Sequence, residues 1–174
     1  MWKKILKENL EMILIALMVV LPIRYFLIQP FVVQGSSMEP NFFPKNYLIV
    51  DELSYRFREP KRFEVIVFKS PNSLKQYYIK RIIGLPNERV IIKNGEIRII
   101  NQKGEEVKLK EDFLSQGMVT KGEVDITLKN DQYFLLGDNR IASYDSRNWG
   151  PISKELIVGR VWLRLWPINA FSIF

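Results

Sequence analysis

The chain contains neither cysteine nor histidine. Without cysteine there is no disulfide, no thiolate nucleophile and no Cys-ligated zinc. Without histidine there is no Ser-His-Asp triad, and the commonest general base and protein zinc ligand are missing too. A hydrolase built from this sequence must take its base from a carboxylate or a lysine. A basic cluster is also lacking. The net charge is +7, but the lysines and arginines are scattered and mixed with acids. Nucleic-acid binding needs clustered basic residues with interleaved stacking aromatics, so no nucleic-acid partner is expected. A hydrophobic content of 47% over 174 residues fits one folded domain of ordinary size plus an anchor.

The N-terminus offers that anchor. Lys3, Lys4 and Lys7 precede an apolar run from Met12 to Ile23, followed by Arg24 and the apolar YFLI to Ile28. As a helix, residues 12–28 would span about 26 Å at about 1.5 Å per residue. That is slightly short of a hydrocarbon core of about 30 Å, but Leu6 and Leu10 extend it and Arg24 can snorkel outward. No small-x-small cleavage site follows the run, which separates it from a cleaved leader. The expectation is a cytoplasmic N-terminus and single transmembrane helix over 1–29. Lysines ahead of the span then place residues 30–174 outside the cell membrane.

After Pro30 the pattern changes to short strands. YLIVD (47–51), FEVIVFK (63–69), YYIKRIIG (77–84) and RVIIK (89–93) are rich in β-branched and aromatic residues. Asn94-Gly95 is a two-residue hairpin turn that returns the chain as EIRII. DITLK, QYFLLGD and LIVGRVWLRLWP follow. The fold expected for 30–174 is a mostly-β, compact antiparallel sheet or barrel-like domain, with 101–130 as a small polar excursion.

Two features carry chemistry. The stretch FVVQGSSMEPNF (31–42) sets two serines after a glycine, which is ordinarily a plain turn. Lys80 lies in a strand otherwise dominated by tyrosine and isoleucine, with Tyr78 and Ile82 on its face. A strand lysine is ordinarily solvated. Lodged among apolar groups, however, it loses ammonium solvation and its pKa falls below the ordinary value of about 10.4. It can then take the proton of a serine hydroxyl. In a chain without histidine, a Ser-Lys pair is the candidate substitute for the triad.

The sequence resembles bacterial type I signal peptidases. GSSMEPN, YYIKRIIGLPNE and GDNRIASYDSRNWGPI match, in order, the serine, lysine and C-terminal boxes of that family. The QPFVVQG lead-in and the N-terminal anchor fit as well, so the resemblance covers essentially the whole chain. It implies a membrane-anchored serine endopeptidase that cuts signal peptides from exported preproteins after a small-x-small motif, through an acyl-enzyme and with no metal or cofactor. Carried over, Ser37 is the nucleophile, Ser36 its neighbour and Lys80 the general base. Ser143 is the serine that orients the lysine. Asp138, Arg140, Asp145 and Arg147 brace the site, the aspartates pairing with Arg140 and Arg147. Phe31, Val33, Phe42, Tyr78 and Ile79 line the shallow pockets for small residues at −1 and −3. The Ser37 backbone N–H supplies part of the oxyanion hole, and Gly35 stands where some members carry a serine that completes it. Ile141 and Ala142 replace the polar pair usual after GDNR, and Phe63-Glu64 replaces Gly-Asp. Two other readings remain open: another Ser-Lys peptidase on this scaffold, such as a pilus-maturation type, or a silent membrane-tethered β-domain that binds peptides.

Overall fold

A computed structural model of the chain describes the backbone of residues 2–26, 28–107 and 109–174, and side chains throughout these except at 3–5 and 19–28. Helix α1 (Trp2–Phe26) comes first. Its Leu6, Leu10, Met12, Ile13, Leu14 and Met18 side chains are all exposed. No helix among the described residues is long and apolar enough to cross a membrane, and the anchor expected over 12–28 lies partly outside them.

The strands follow in chain order: β1 (Ile28–Val32), β2 (Tyr47–Asp51), β3 (Val65–Ser70), β4 (Ser73–Gly84), β5 (Arg89–Lys93) and β6 (Glu96–Ile100). Then come β7 (Glu106–Val107), β8 (Val124–Thr127), β9 (Gln132–Leu136), β10 (Ile152–Ser153), β11 (Ile157–Trp166) and β12 (Ser172–Ile173). Short helices α2 (Ser54–Phe57) and α3 (Ser146–Trp149) sit after β2 and before β10. Among the described residues the strands make two antiparallel sheets. The larger runs β1-β2-β11-β3-β4-β9-β10 with β12 on β11; the smaller runs β7-β6-β5-β8. The mostly-β, antiparallel fold expected for 30–174 is the one observed, its strands divided between two sheets.

The division follows from where the apolar residues point. Strand β3 reads VIVFKS and is buried on both faces, as a central strand must be. Val65 and Val67 enter one core with Val33, Met38, Phe42, Leu48, Val50 and Val161. Ile66 and Phe68 enter a second with Ile82, Tyr133, Leu135 and Ile152. Ile83, one residue past Ile82, faces the other way and packs with Val90, Ile92, Ile99, Phe134 and Leu136. Strand alternation thus docks the small sheet on the large one. The turn between β5 and β6 is the one expected: Asn94 and Gly95 both take positive φ, 53° and 84°, matching the twist of the hairpin. The excursion contributes β7, β8 and the segment between them, which reaches back to the main sheet.

Candidate active site

Ser37 lies between β1 and β2 in a turn pinned from below. Its neighbour Met38 and the later Phe42 are 1% and 0% exposed, and the Phe42 N–H donates to the Met38 carbonyl. Burying those two apolar side chains fixes the backbone between them, so the Ser37 hydroxyl is presented from a rigid base. Ser36 is exposed, and its carbonyl oxygen accepts from the Glu39 N–H and from Asn139 Nδ2.

Lys80 sits on β4 opposite Ile66 of β3 and is 4% exposed. Its Nζ donates to Ser37 Oγ at 2.7 Å and to its neighbour's carbonyl, Ile79 O, at 2.9 Å. The Tyr78 ring centroid lies 5.9 Å from the amine. Removal from water disfavours the ammonium and lowers the Lys80 pKa from 10.5 to about 8, while the negative Asp145 and Asp138 pull it part of the way back up. An amine poised there is neutral in about a tenth of molecules at pH 7, far more often than an ordinary lysine, and it touches a hydroxyl.

Ser143 lies on the far side of the site. Its Oγ is buried and finds no hydrogen-bond partner, so the expected bond from Lys80 is not formed. Ser143 packs against Gly137: a Cβ placed on Gly137 would collide with Ser143 Oγ and Cβ and with the Ser37 carbonyl oxygen. The Asn139 N–H donates to that same carbonyl at 3.0 Å. Gly137→Ala should therefore push the third box off the serine turn and lower kcat/KM by about tenfold or more. Equal rates for wild type and Gly137→Ala, in a folded protein, would show that this contact does not matter.

The charged groups pair differently from expectation in one respect. Asp145 and Arg147 form the expected pair at 2.8 Å, with Asp145 also capping α3 and accepting from the Gly137 N–H. Asp138 is taken instead by Arg81, whose Nε and Nη2 donate at 2.8 and 2.6 Å, and by Asn41 Nδ2 at 2.9 Å. Strand register is the reason. Arg81 of β4 stands opposite Leu136 of β9, two residues before Asp138. Arg140 turns the other way, into the excursion, where it binds Glu111 and Thr120.

A groove of about 790 Å³ runs past the serine and lysine. Of the residues expected to line it, Phe31, Val33, Tyr78 and Ile79 do, together with Gly35 and Ser37. Phe42 does not. It is a core residue, with its ring 4.8 Å from that of Phe174. Leu48, Val67, Tyr77 and Tyr144 line the groove without having been singled out; sheet order brings the first three there and the loop after β9 brings Tyr144. Gly35 has a φ of 77°, the left-handed region that glycine adopts without strain. Arg81 and Asn139 were missed although both lie within the quoted boxes.

A groove past a serine hydroxyl held on a dehydrated amine fits a serine endopeptidase, the class that the relatives share. Residues 6–166 match the family described as signal peptidase, peptidase S26. A signal peptidase I of Bacillus caldolyticus is 37% identical over 169 residues, covering 91% of this chain and 90% of that one. That of Leptolyngbya laminosa is 34% identical over 171 residues, covering 94% and 81%. The crystal structure of a signal peptidase I from Enterococcus faecalis V583 superposes with a TM-score of 0.50 at 30% identity, covering 60% of this chain and 97% of that one. The chain belongs to the signal peptidase family, in its type I branch.

Proposed function

We propose that this chain removes signal peptides from exported preproteins, with Ser37 as nucleophile and Lys80 as general base. The observation that carries the reading is the 2.7 Å contact between a buried lysine amine and the Ser37 hydroxyl. Neutral Lys80 takes the Ser37 proton as Oγ attacks the scissile carbonyl. The developing oxyanion is met by the Ser37 N–H, with the Gly35 backbone as second donor. Protonated Lys80 returns the proton to the leaving amine, and the mature protein departs. The signal peptide stays bound as an acyl-enzyme until Lys80 activates a water for deacylation. Ser143 orients the lysine, as the family resemblance implies; its buried hydroxyl has no hydrogen-bond partner among the described residues to hold it elsewhere. The narrow apolar walls formed by Phe31, Val33 and Ile79 favour small residues at −1 and −3.

The catalytic domain works at the outer face of the cell membrane, with residues 1–29 as the anchor and the N-terminus cytoplasmic. Three observations support this. Lysines 3, 4 and 7 precede the apolar run, the apolar side chains of α1 are exposed, and Phe43, Trp166, Ile168 and Phe171 form exposed apolar surface on the domain. Sharing a bilayer with its substrate raises the effective concentration of the cleavage site.

A membrane-impermeant, serine-reactive acylating inhibitor tests both parts. Applied to intact spheroplasts, it should label Ser37 and no other residue, as read by peptide mass spectrometry. Labelling only after lysis would overturn the topology and leave the nucleophile standing. A folded protein that takes no label under either condition would overturn the enzyme reading in favour of a peptide-binding domain.

A further inference from the structure

Arg140 heads the fully buried side chains of the described residues by volume, at 1% exposure. A guanidinium removed from water must have its N–H groups satisfied. Arg140 Nε donates to Gly137 O at 3.0 Å, Nη1 to Thr120 Oγ1 at 2.5 Å and Nη2 to Glu111 Oε1 at 2.5 Å. One acceptor belongs to the loop that packs on the serine turn. The other two belong to the excursion between β7 and β8.

That excursion meets the site at three more points. The Phe113 carbonyl accepts from Asn41 Nδ2 at 2.7 Å, and the same amide nitrogen donates to Asp138. The Arg81 guanidinium lies 4.1 Å from the Phe113 ring centroid. Arg147 Nη1 donates to the Lys121 carbonyl at 3.0 Å. The Thr120 N–H donates to Gly95 O at 3.2 Å, which ties the segment to the β5–β6 turn of the small sheet. Both charged pairs around the dyad therefore lean on a segment far from the three sequence boxes.

The geometry points to Glu111 as a positioning residue for cleavage at Ser37: its carboxylate holds Arg140, which bonds the carbonyl of Gly137, the residue packed against the Ser37 carbonyl oxygen. The carboxylate of Glu111 is 20% exposed while the Arg140 side chain is fully covered, so the pair is closed on the arginine side. Removing the carboxylate leaves a buried charge without its anion, and the 137–143 loop must shift to let water reach it. The loop carries Ser143 and the Asn139 N–H that holds Ser37 O. The groove walls Phe31, Val33 and Ile79 stand on or beside β1 and β4 and do not depend on it, whereas Ala142 and Tyr144, at the end of the loop, do. Turnover is thus affected more than substrate binding. This role rests on the Ser37–Lys80 reading above.

The test uses the full chain in detergent micelles with a preprotein substrate, measuring kcat and KM separately. Glu111→Ala should lower kcat by about tenfold or more with KM changed by no more than about threefold, because the alignment of the reacting groups is lost while most of the groove wall stands on β1 and β4. Glu111→Gln, whose amide oxygen still accepts from Arg140, should recover kcat to within about threefold of wild type. Val107→Ala loosens apolar packing in the same excursion without touching Arg140. It should lower the thermal midpoint and leave kcat unchanged when assayed well below that midpoint. If Glu111→Ala does not fold, Thr120→Val is read in its place for the same split between kcat and KM. A wild-type kcat in the folded variant, a loss that glutamine does not rescue, or an equal loss in Val107→Ala would each overturn the role. An inactive Ser37→Ala beside an unimpaired Glu111→Ala would remove the strap and leave the dyad intact.

Discussion

Ser37→Ala should lower preprotein cleavage by on the order of 10⁴-fold or more, while Ser36→Ala retains most of it. The two hydroxyls are adjacent in sequence and opposite in circumstance. Ser37 Oγ is 2.7 Å from a buried amine. Ser36 is exposed, and what it contributes is its carbonyl oxygen, which any residue would supply. Losing the Ser37 hydroxyl removes the group held on the buried amine; losing the Ser36 hydroxyl removes a solvated group. Because Met38 and Phe42 hold the turn from the core, neither substitution should alter the thermal midpoint by more than a few degrees. Comparable rates in the two variants would sink the assignment of Ser37.

Lys80→Met should fold as well as wild type and lose cleavage to a similar extent. Methionine fills nearly the same volume, and it ends the cost of holding an amine at 4% exposure. It has no site for a proton, so Ser37 attacks unassisted. The wild-type pH profile carries the same argument. Lys80 works as a base only when neutral, and burial has brought its pKa down to about 8. Activity should therefore rise about tenfold per pH unit on the acid side and level off above about 8. The sign for stability follows from proton counting. Unfolded, the lysine keeps a pKa near 10.5; folded, it releases its proton near 8, so between these values the unfolded chain binds more protons. Wild-type stability should rise with pH across that window and be flat for this group below it, and Lys80→Met should lack the rise. A variant that cleaves near the wild-type rate, or a wild-type profile with no limb near pH 8, would show that the base is another group.

How far the site could be read in advance depended on the range of each interaction. Strands β2, β5 and β6 coincide with the runs YLIVD, RVIIK and EIRII because their signals are local: β-branched residues in sequence and an Asn-Gly turn. The serine and lysine were nameable because the absence of histidine leaves few bases and the boxes stand in order. Glu111 carried no such signal. It lies in a polar stretch with no periodicity, and its importance comes from an arginine 29 residues away in the chain. Phe42 misled for a related reason. Its neighbours mark the serine turn, but the turn directs its ring down into the core, away from the groove.

Composition and local pattern determined that this chain is mostly β and that any hydrolytic base in it is not histidine; the resemblance of its boxes to a known family then singled out Ser37 and Lys80. The first two are properties of residue type and short spacing. Tertiary structure decided the rest: that Ser37 and Lys80, 43 residues apart, come within 2.7 Å, and that Asp138 binds Arg81 while Arg140 binds Glu111. A carboxylate near two guanidinium groups in sequence is attracted to both. Which one it meets is set by the register of β4 against β9 and by the docking of the small sheet, and those follow from where Ile82 and Ile83 are buried.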